Sequence, residues 1–298
     1  MNKKHVYNQL LKNFCPKSPV VFTFHINWKT YESLHLKQFT YLKNLFLANG
    51  INTIEFLPIL TDKKSHMENR IKQFKQGIEK IVDKYERKAH VIGYSFAGVI
   101  PRGYISLYNG EDYISSLLTI GTPHKGSKFV HRLISQDFSS KMFQVEPGLR
   151  ATGVHIDWLM EEYSPKTMHD TNSIFISSPN VKYNSVGGRR TKMNCSESIR
   201  FISEENANTD KDFPNDGLIG THEAEFGTHL INFDADHFEL IGMRPNFRAD
   251  SLIEFYSNSV KNSDEDFLKT ISNEIGVDGL SKLSFENEST LKNQNLNQ

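Results

Sequence analysis

A serine flanked by small residues lies between an apolar run and a stretch that can form a helix. The segment covers residues 90–98 and reads His-Val-Ile-Gly-Tyr-Ser-Phe-Ala-Gly. Its β-branched residues predict a buried strand. Gly93 and Ala97, two positions on either side of Ser95, leave room for a sharp turn from strand to helix that exposes the serine. A hydroxyl presented in this way is typical of a nucleophile in acyl transfer.

A nucleophilic serine needs a base to take its proton. Where the serine lies in such a turn between a strand and a helix, the order along the chain is serine, acid, histidine. The best candidate for the base is His237, which follows a short apolar strand at residues 230–233. His124 precedes any suitable acid, so we interpret it as a residue that lines the cleft. The histidines that compete with His237 are His124, His131, His155, His169, His222 and His229.

The acid that orients the base should lie between the serine and the histidine. Asp216 stands in the segment Pro-Asn-Asp-Gly-Leu-Ile at residues 214–219, a turn between a polar stretch and an apolar one. Such a turn can direct a carboxylate at an imidazole, although Asp-Gly turns are also common without any function. Asp210 and Asp212 are nearby alternatives, whereas the aspartates at 234 and 236 are too close to the histidine in sequence.

Two backbone N–H groups should hold the negative oxygen of the reaction intermediate. One belongs to Phe96, the residue after the nucleophile. The second should come from the loop after the first central strand, which gives Ile26 or Asn27.

Apolar runs and helical periodicities alternate along the chain and predict the elements that position these residues. Alternation of this kind implies a mostly parallel sheet flanked by helices, with the chemistry beyond the carboxyl ends of the strands. The predicted helices include 34–49, 62–88 and 97–107. The predicted strands are 19–24, 52–57 (closed by Pro58), 90–94, 115–120, 173–177, 182–186 and 230–233.

The alternation lapses between residues 136 and 172, where apolar and charged residues mix. We interpret this stretch as a helical insertion, either a cap or lid over the site or a packed accessory layer. The whole of residues 1–282 is predicted to form a single α/β domain. The tail at 283–298, which is rich in Asn, Gln, Ser and Lys, is predicted to be disordered.

Composition narrows the class of protein. The chain has 298 residues with 35 basic and 35 acidic side chains, so its zero net charge gives no case for nucleic-acid binding. Its two cysteines, Cys15 and Cys195, favour a reducing compartment. We find no secretory signal and no apolar run that could span a membrane, so we expect a cytoplasmic protein. Transient contact with a membrane or lipid surface is compatible with this composition, and the sequence leaves the oligomeric state unknown.

Two segments resemble the bacterial triacylglycerol lipases of the α/β-hydrolase fold: residues 91–98, and residues 117–127, which read Leu-Leu-Thr-Ile-Gly-Thr-Pro-His-Lys-Gly-Ser. Asn-Asp-Gly-Leu at 215–218 resembles the segment that holds the family's catalytic acid. Asp-His-Phe-Glu at 236–239 resembles the family's Asn-His-Leu-Asp, which holds its histidine.

The resemblance implies an α/β-hydrolase with Ser95, Asp216 and His237 as catalytic triad, an oxyanion hole formed by the N–H groups of Phe96 and Asn27, and no cofactor. The chain departs from the family in several places, and one is the oxyanion segment, which reads His-Ile at 25–26 where the family has His-Gly. The turn reads Gly-Tyr-Ser-Phe-Ala where the family has Gly-His-Ser-x-Gly. A glutamate stands at 239, where the family has an aspartate that binds structural calcium, so no metal site is predicted.

The expected function is hydrolysis of carboxylic esters, in particular lipid esters, through an acyl-enzyme. Two alternatives stay open at this point. The same triad could pass the acyl group to an alcohol or an amine, which would make the protein an acyltransferase. The chain could also be a non-catalytic binding protein that has kept the fold.

Overall fold

The computed structural model describes residues 6, 17–26, 39–60, 66–128, 162–190, 195, 199 and 214–242. The chain divides into two units, Met1–Leu252 and Ile253–Gln298, and every described residue lies in the first. Most of the predicted cap, Asn27, and the tail at 283–298 lie outside the described residues. The cap and the single domain over 1–282 therefore stay predictions.

Six strands form one sheet in which every neighbouring pair is parallel. The order across the sheet is β2-β1-β3-β4-β5-β6, so all the carboxyl ends meet at one edge. The predicted α/β architecture with a parallel sheet is confirmed. The strands are β1 Val20–Ile26, β2 Ile54–Leu60, β3 Ala89–Tyr94, β4 Ile114–Ile120, β5 Lys182–Arg189 and β6 Thr228–Asp234.

Helices cover both faces of the sheet, and each face carries its own apolar core. The helices of the described residues are α1 Thr40–Ala48, α2 Met67–Tyr85, α3 Val99–Leu107 and α4 Pro165–Ile174, with short 3₁₀ segments at Ser95–Gly98, Gly110–Asp112 and Glu239–Ile241. Val91 of β3 packs in the core beneath α2 and α3, whereas its neighbour Ile92 packs on the side of α1. This burial on both faces explains the continuous apolar run of β3.

The prediction that Pro58 closes β2 is wrong, since the strand continues to Leu60. The reason is its place in the sheet. Among the described strands, β2 lies at the edge of the sheet and pairs with β1 alone, where Pro58 stands opposite Phe24. A proline is tolerated on an edge strand when the missing N–H faces away from the ladder.

The prediction of a strand at 173–177 is wrong, since α4 runs to Ile174 and no strand follows before β5. The start of this helix explains the outcome. Ser164 is the N-cap, its Oγ accepts the N–H of Thr167 at 3.1 Å, and Pro165 occupies the first helical turn. In the described ranges, no helix combines the length and the apolar composition needed to cross a bilayer.

Candidate active site

Ser95 follows the last residue of β3 and adopts a φ of 55°, the left-handed region that residues other than glycine rarely occupy. The strand and the following helical turn approach closely here. A Cβ added to Gly93 would lie 2.6 Å from the Cα of Gly98, so the strand and the helix can approach this closely because both residues are glycines. The strained turn is the geometry that a nucleophile requires at the edge of a parallel sheet.

His237 links the serine to a buried acid. The Ser95 Oγ–H can donate to Nε2 of His237 at 2.9 Å, and the Nδ1–H on the other side of the ring donates to Oδ2 of Asp216 at 2.8 Å. The side chain of Ser95 is partly exposed, whereas Asp216 is 0% and His237 only 2% exposed. Water therefore has access to the hydroxyl and little access to the pair that polarises it.

The turn at residues 214–220 holds the carboxylate of Asp216 rigidly. Its Oδ1 accepts the N–H groups of Leu218 at 2.9 Å and Ile219 at 2.7 Å, so Oδ2 is left to face the imidazole. Gly217 makes this turn possible with a φ of 101°. The backbone N–H of His237 donates to the carbonyl of Asp216 at 2.7 Å, which joins the two loops directly.

Two strand ends and one connection bring the site together: Ser95 follows β3, His237 lies in the loop after β6, and Asp216 lies in the connection between β5 and β6. Gly121, which follows β4 and has a φ of 55°, lies beside Asp216 and His237. A Cβ there would come within 3.1 Å of both Asp216 Oδ2 and the ring of His237, so bare backbone packs against this pair.

The competing histidines have other partners or lie elsewhere. His124 is buried, Nη1 of Arg102 donates to its Nδ1 at 3.0 Å, and its Nε2–H donates to Thr119 at 2.8 Å. Burial lowers the pKa of His124 well below its usual value, and the charge of Arg102 lowers it further. His169 and His222 are exposed, His229 hydrogen-bonds Ser185, and His131, His155, Asp210 and Asp212 lie outside the described residues.

The oxyanion candidates are described only in part, because Asn27 is outside the described residues. Phe96 is buried directly after the serine, and its carbonyl accepts the hydroxyl of Tyr163 at 3.0 Å. The two rings pack edge to face with 4.8 Å between their centroids. Tyr163 thus fixes the residue whose N–H we expect to face the oxyanion, a role that no sequence pattern indicated.

Glu223 is a second buried carboxyl group that sequence reasoning missed. Its two oxygens accept the N–H groups of Gly220 at 2.7 Å and Lys128 at 2.5 Å, so it ties the acid turn to the loop after β4. Burial raises the pKa of Glu223 to about 7, and the nearby charge of Asp216 also raises it. The group therefore changes its charge near neutral pH.

Glu239, two residues after the histidine, pairs with an arginine. Nε and Nη2 of Arg190 donate to its two carboxylate oxygens, both at 3.1 Å, and Nη1 lies 2.9 Å from Oδ1 of Asp234. The backbone N–H of Arg190 donates to the carbonyl of Asn215 at 2.8 Å. One residue thus joins the end of β5 to the acid turn and the histidine loop. The described residues contain no group of three or more His, Cys, Asp or Glu side chains that could hold a metal ion.

A parallel sheet that presents a serine in a left-handed turn, with the serine hydrogen-bonded to a histidine and the histidine to an aspartate, is the arrangement of the α/β-hydrolases. Residues 26–175, half of the chain, match the palmitoyl protein thioesterase family. The chain belongs to this family, and with it to the hydrolases of carboxylic esters. Comparison with curated protein sequences gives no match.

Solved structures of bacterial lipases and esterases share the fold. A mature lipase from Bacillus licheniformis is 17% identical with a TM-score of 0.57, over 82% of this chain and 93% of its own. Lipase 1 from Pelosinus fermentans is 14% identical with a TM-score of 0.53, over 83% and 99%. A metagenomic carboxyl esterase is 12% identical with a TM-score of 0.54, over 82% and 76%. The α/β-hydrolase fold predicted from the lipase-like motifs is confirmed.

Proposed function

We propose that this protein is a serine hydrolase that cleaves lipid carboxylic esters through Ser95, His237 and Asp216. One observation carries the proposal: a continuous hydrogen-bond chain runs from the serine hydroxyl through both ring nitrogens to a buried carboxylate. A serine at a φ of 55° at the end of a central strand is a strained arrangement that a merely structural turn does not need.

In the proposed reaction, Oγ of Ser95 attacks the ester carbonyl carbon while its proton moves to Nε2 of His237. The carboxylate of Asp216 accepts the Nδ1–H throughout, and so stabilises the imidazolium that forms. When the tetrahedral intermediate collapses, the carbon–oxygen bond to the alcohol breaks, and Nε2–H returns the proton to the leaving alcohol. Water then attacks the acyl-enzyme through the same two proton transfers and releases the acid.

The N–H groups of Phe96 and Asn27 are the proposed donors to the oxyanion. For Phe96, the argument is that its backbone directly follows the nucleophile and that its carbonyl is anchored by Tyr163. Donors that are fixed before the reaction need no reorganisation when charge develops on the carbonyl oxygen, and each is typically worth about 3 kcal/mol.

The family favours a second substrate class, thioesters of long-chain acyl groups, since its name denotes palmitoyl thioesters. The same triad can cleave them, and a thiolate is a better leaving group that depends less on protonation by His237. Oxygen esters and thioesters that carry the same acyl chain therefore separate the two candidates by their relative kcat/KM.

The proposal can be tested with p-nitrophenyl esters from acetate to palmitate, and with an S-palmitoyl thioester, using wild type and Ser95→Ala. We expect activity that depends on Ser95 and rises with chain length. A suitable control is Ser106→Ala, because this serine lies near the end of α3, donates to the carbonyl of Ile174 at the end of α4, and should leave kcat/KM unchanged when replaced.

Labelling by a fluorophosphonate probe distinguishes the function classes. Covalent labelling that is lost in Ser95→Ala but kept in Ser106→Ala would support the hydrolase. Absence of both labelling and ester or thioester cleavage in the folded wild type would refute it and favour a binding protein.

A further inference from the structure

Tyr94, the residue immediately before the nucleophile, contacts the histidine in two ways. Its hydroxyl donates to the backbone carbonyl of His237 at 3.0 Å, across 143 positions of sequence. Its ring lies against the imidazole, with 5.0 Å between the centroids and 31° between the planes. Phe39 packs edge-on against the same tyrosine ring at 5.9 Å, so the ring is held in place.

The hydroxyl of Tyr94 supports the backbone of the histidine loop. His237 is 2% exposed, so its carbonyl has little access to water as an alternative partner. Without the hydroxyl, this carbonyl would be left unsatisfied or the loop would shift to reach solvent. A shift of the loop would move Nε2 away from its 2.9 Å contact with Ser95, and small displacements of this kind slow proton transfer.

The ring of Tyr94 acts on the imidazole itself. During acyl transfer His237 becomes a cation, and the face of an aromatic ring attracts a cation within about 6 Å. The separation of 5.0 Å between the two ring centroids meets this condition. The contact therefore favours the imidazolium, the form of His237 that accompanies the transition state.

The charged and titratable groups near this pair are Asp216, which faces Nδ1, and Asp236, with Glu223 behind Asp216. Burial raises the pKa of Tyr94 well above its usual value, and the charges of Asp216 and Asp236 raise it further. Tyr94 therefore keeps its proton and remains a donor over the whole working range of pH.

We propose that Tyr94 is a positioning residue for His237, whose hydroxyl fixes the histidine loop and whose ring stabilises the imidazolium. This inference rests on the proposed function, since it assumes that His237 is the base. It explains why a tyrosine can stand before the nucleophile, where the lipases that the sequence resembles have a histidine. Because the contact joins two segments that are distant in sequence, the motif alone gives no hint of it.

Two substitutions separate the two contacts. Tyr94→Phe keeps the ring and removes the hydroxyl, so kcat should fall about tenfold with KM changed less than about twofold. Tyr94→Leu removes both, so the acid limb of the kcat/KM profile should also move to lower pH by about half a unit. A merely structural role would not move the pH profile.

Tyr104→Phe is the matched control. Tyr104 is also buried, at 0% exposure, and its hydroxyl also donates, to Glu79 at 3.1 Å, but its ring neighbours lie in the core under α2. We expect this variant to lose stability without a change in kcat. An equal loss of kcat in Tyr94→Phe and Tyr104→Phe would overturn the role of the hydroxyl.

A measurement that does not depend on turnover completes the test. Nuclear magnetic resonance of labelled histidines, with His237 assigned by comparison with His237→Gln, gives the pH at which its ring titrates. We expect this pH to be lower in Tyr94→Leu than in wild type by about half a unit and unchanged in Tyr94→Phe. Equal titration in wild type and Tyr94→Leu would overturn the role of the ring, whereas hydrolysis that survives Ser95→Ala would instead overturn the proposed function.

Discussion

Replacing Asp216 with asparagine keeps the shape of the side chain and exchanges one acceptor oxygen for an NH₂ donor. In the structure both oxygens accept: Oδ1 takes the N–H groups of Leu218 and Ile219, and Oδ2 takes Nδ1–H of His237. Either orientation of the amide therefore brings two donors face to face. The outcome depends on which conflict costs less.

If the NH₂ group faced the turn, the buried N–H groups of Leu218 and Ile219 would both lose their acceptor, at about 1–3 kcal/mol each. If it faces the ring instead, His237 can move its proton from Nδ1 to Nε2 and accept from the amide, which leaves no buried donor unpaired. We therefore expect the second arrangement. It preserves the fold, but Nε2 then carries a proton and cannot take the one from Ser95.

The expected result is a fall in kcat/KM of about 10⁴-fold, or roughly 5.5 kcal/mol, with little change in the unfolding free energy. The assay is hydrolysis of a p-nitrophenyl ester together with the rate of labelling by a fluorophosphonate. Asp216→Ala should differ, since it leaves both turn N–H groups unpaired and so should lower stability by about 2–6 kcal/mol as well as activity.

Asp234→Asn is the control, because this aspartate is exposed, pairs with Arg190 and has no contact with the ring of His237 among the described residues. Its kcat/KM should stay within about twofold of wild type. Activity of Asp216→Asn within tenfold of wild type would refute the reasoning, since the reversed tautomer would then not limit the reaction.

Three other predictions concern the surroundings of the site. Because burial raises the pKa of Glu223 from 4.5 to about 7, the folded state holds this proton more tightly than the unfolded state does. The contribution of Glu223 to the unfolding free energy should thus fall by roughly 2.5 kcal/mol between pH 5 and pH 8. Urea unfolding at a series of pH values should show this fall in wild type and not in Glu223→Gln. Tyr163→Phe keeps its ring on Phe96 but loses the 3.0 Å hydrogen bond, so kcat and the affinity for a boronic acid that mimics the oxyanion should both fall about tenfold, with KM nearly unchanged. A rise in KM as large as the fall in kcat would contradict a link to the oxyanion. Arg190→Met removes the guanidinium from the carboxylate of Glu239, which still accepts the N–H of Asp236, and should lower the unfolding free energy by about 1–2 kcal/mol in thermal melts, whereas no loss would show that the pair is too solvated to matter.

The sequence allowed the sheet and the order of the candidate residues to be predicted, because both depend on local patterns. Apolar runs marked the strands, and the small residues around Ser95 marked the turn. The errors came from tertiary context. Whether Pro58 ends β2 depends on the edge position of that strand, and the helix at Pro165–Ile174 begins with a serine cap that the apolar pattern does not reveal.

The contacts around the site were harder to predict, since they join residues that are far apart in the chain. Ser95, His237 and Asp216 lie in hydrogen-bonding contact, although their catalytic roles stay a prediction. Tyr163 donates to the carbonyl of Phe96 across 67 positions, and no periodicity or motif indicates this contact. The hydrogen bond between His124 and Arg102 was not predicted for the same reason, because Arg102 is 22 positions away on α3.

His237 is held at three points other than Nε2. Its N–H donates to the carbonyl of Asp216 at 2.7 Å, its carbonyl accepts from Tyr94 at 3.0 Å, and its Nδ1–H donates to the carboxylate of Asp216 at 2.8 Å. These bonds fix the backbone on both sides and the plane of the ring, so that Nε2 is the atom that remains to exchange a proton with Ser95. A base held in this way needs little reorganisation to act, which is how a buried site can favour proton transfer with few charged groups.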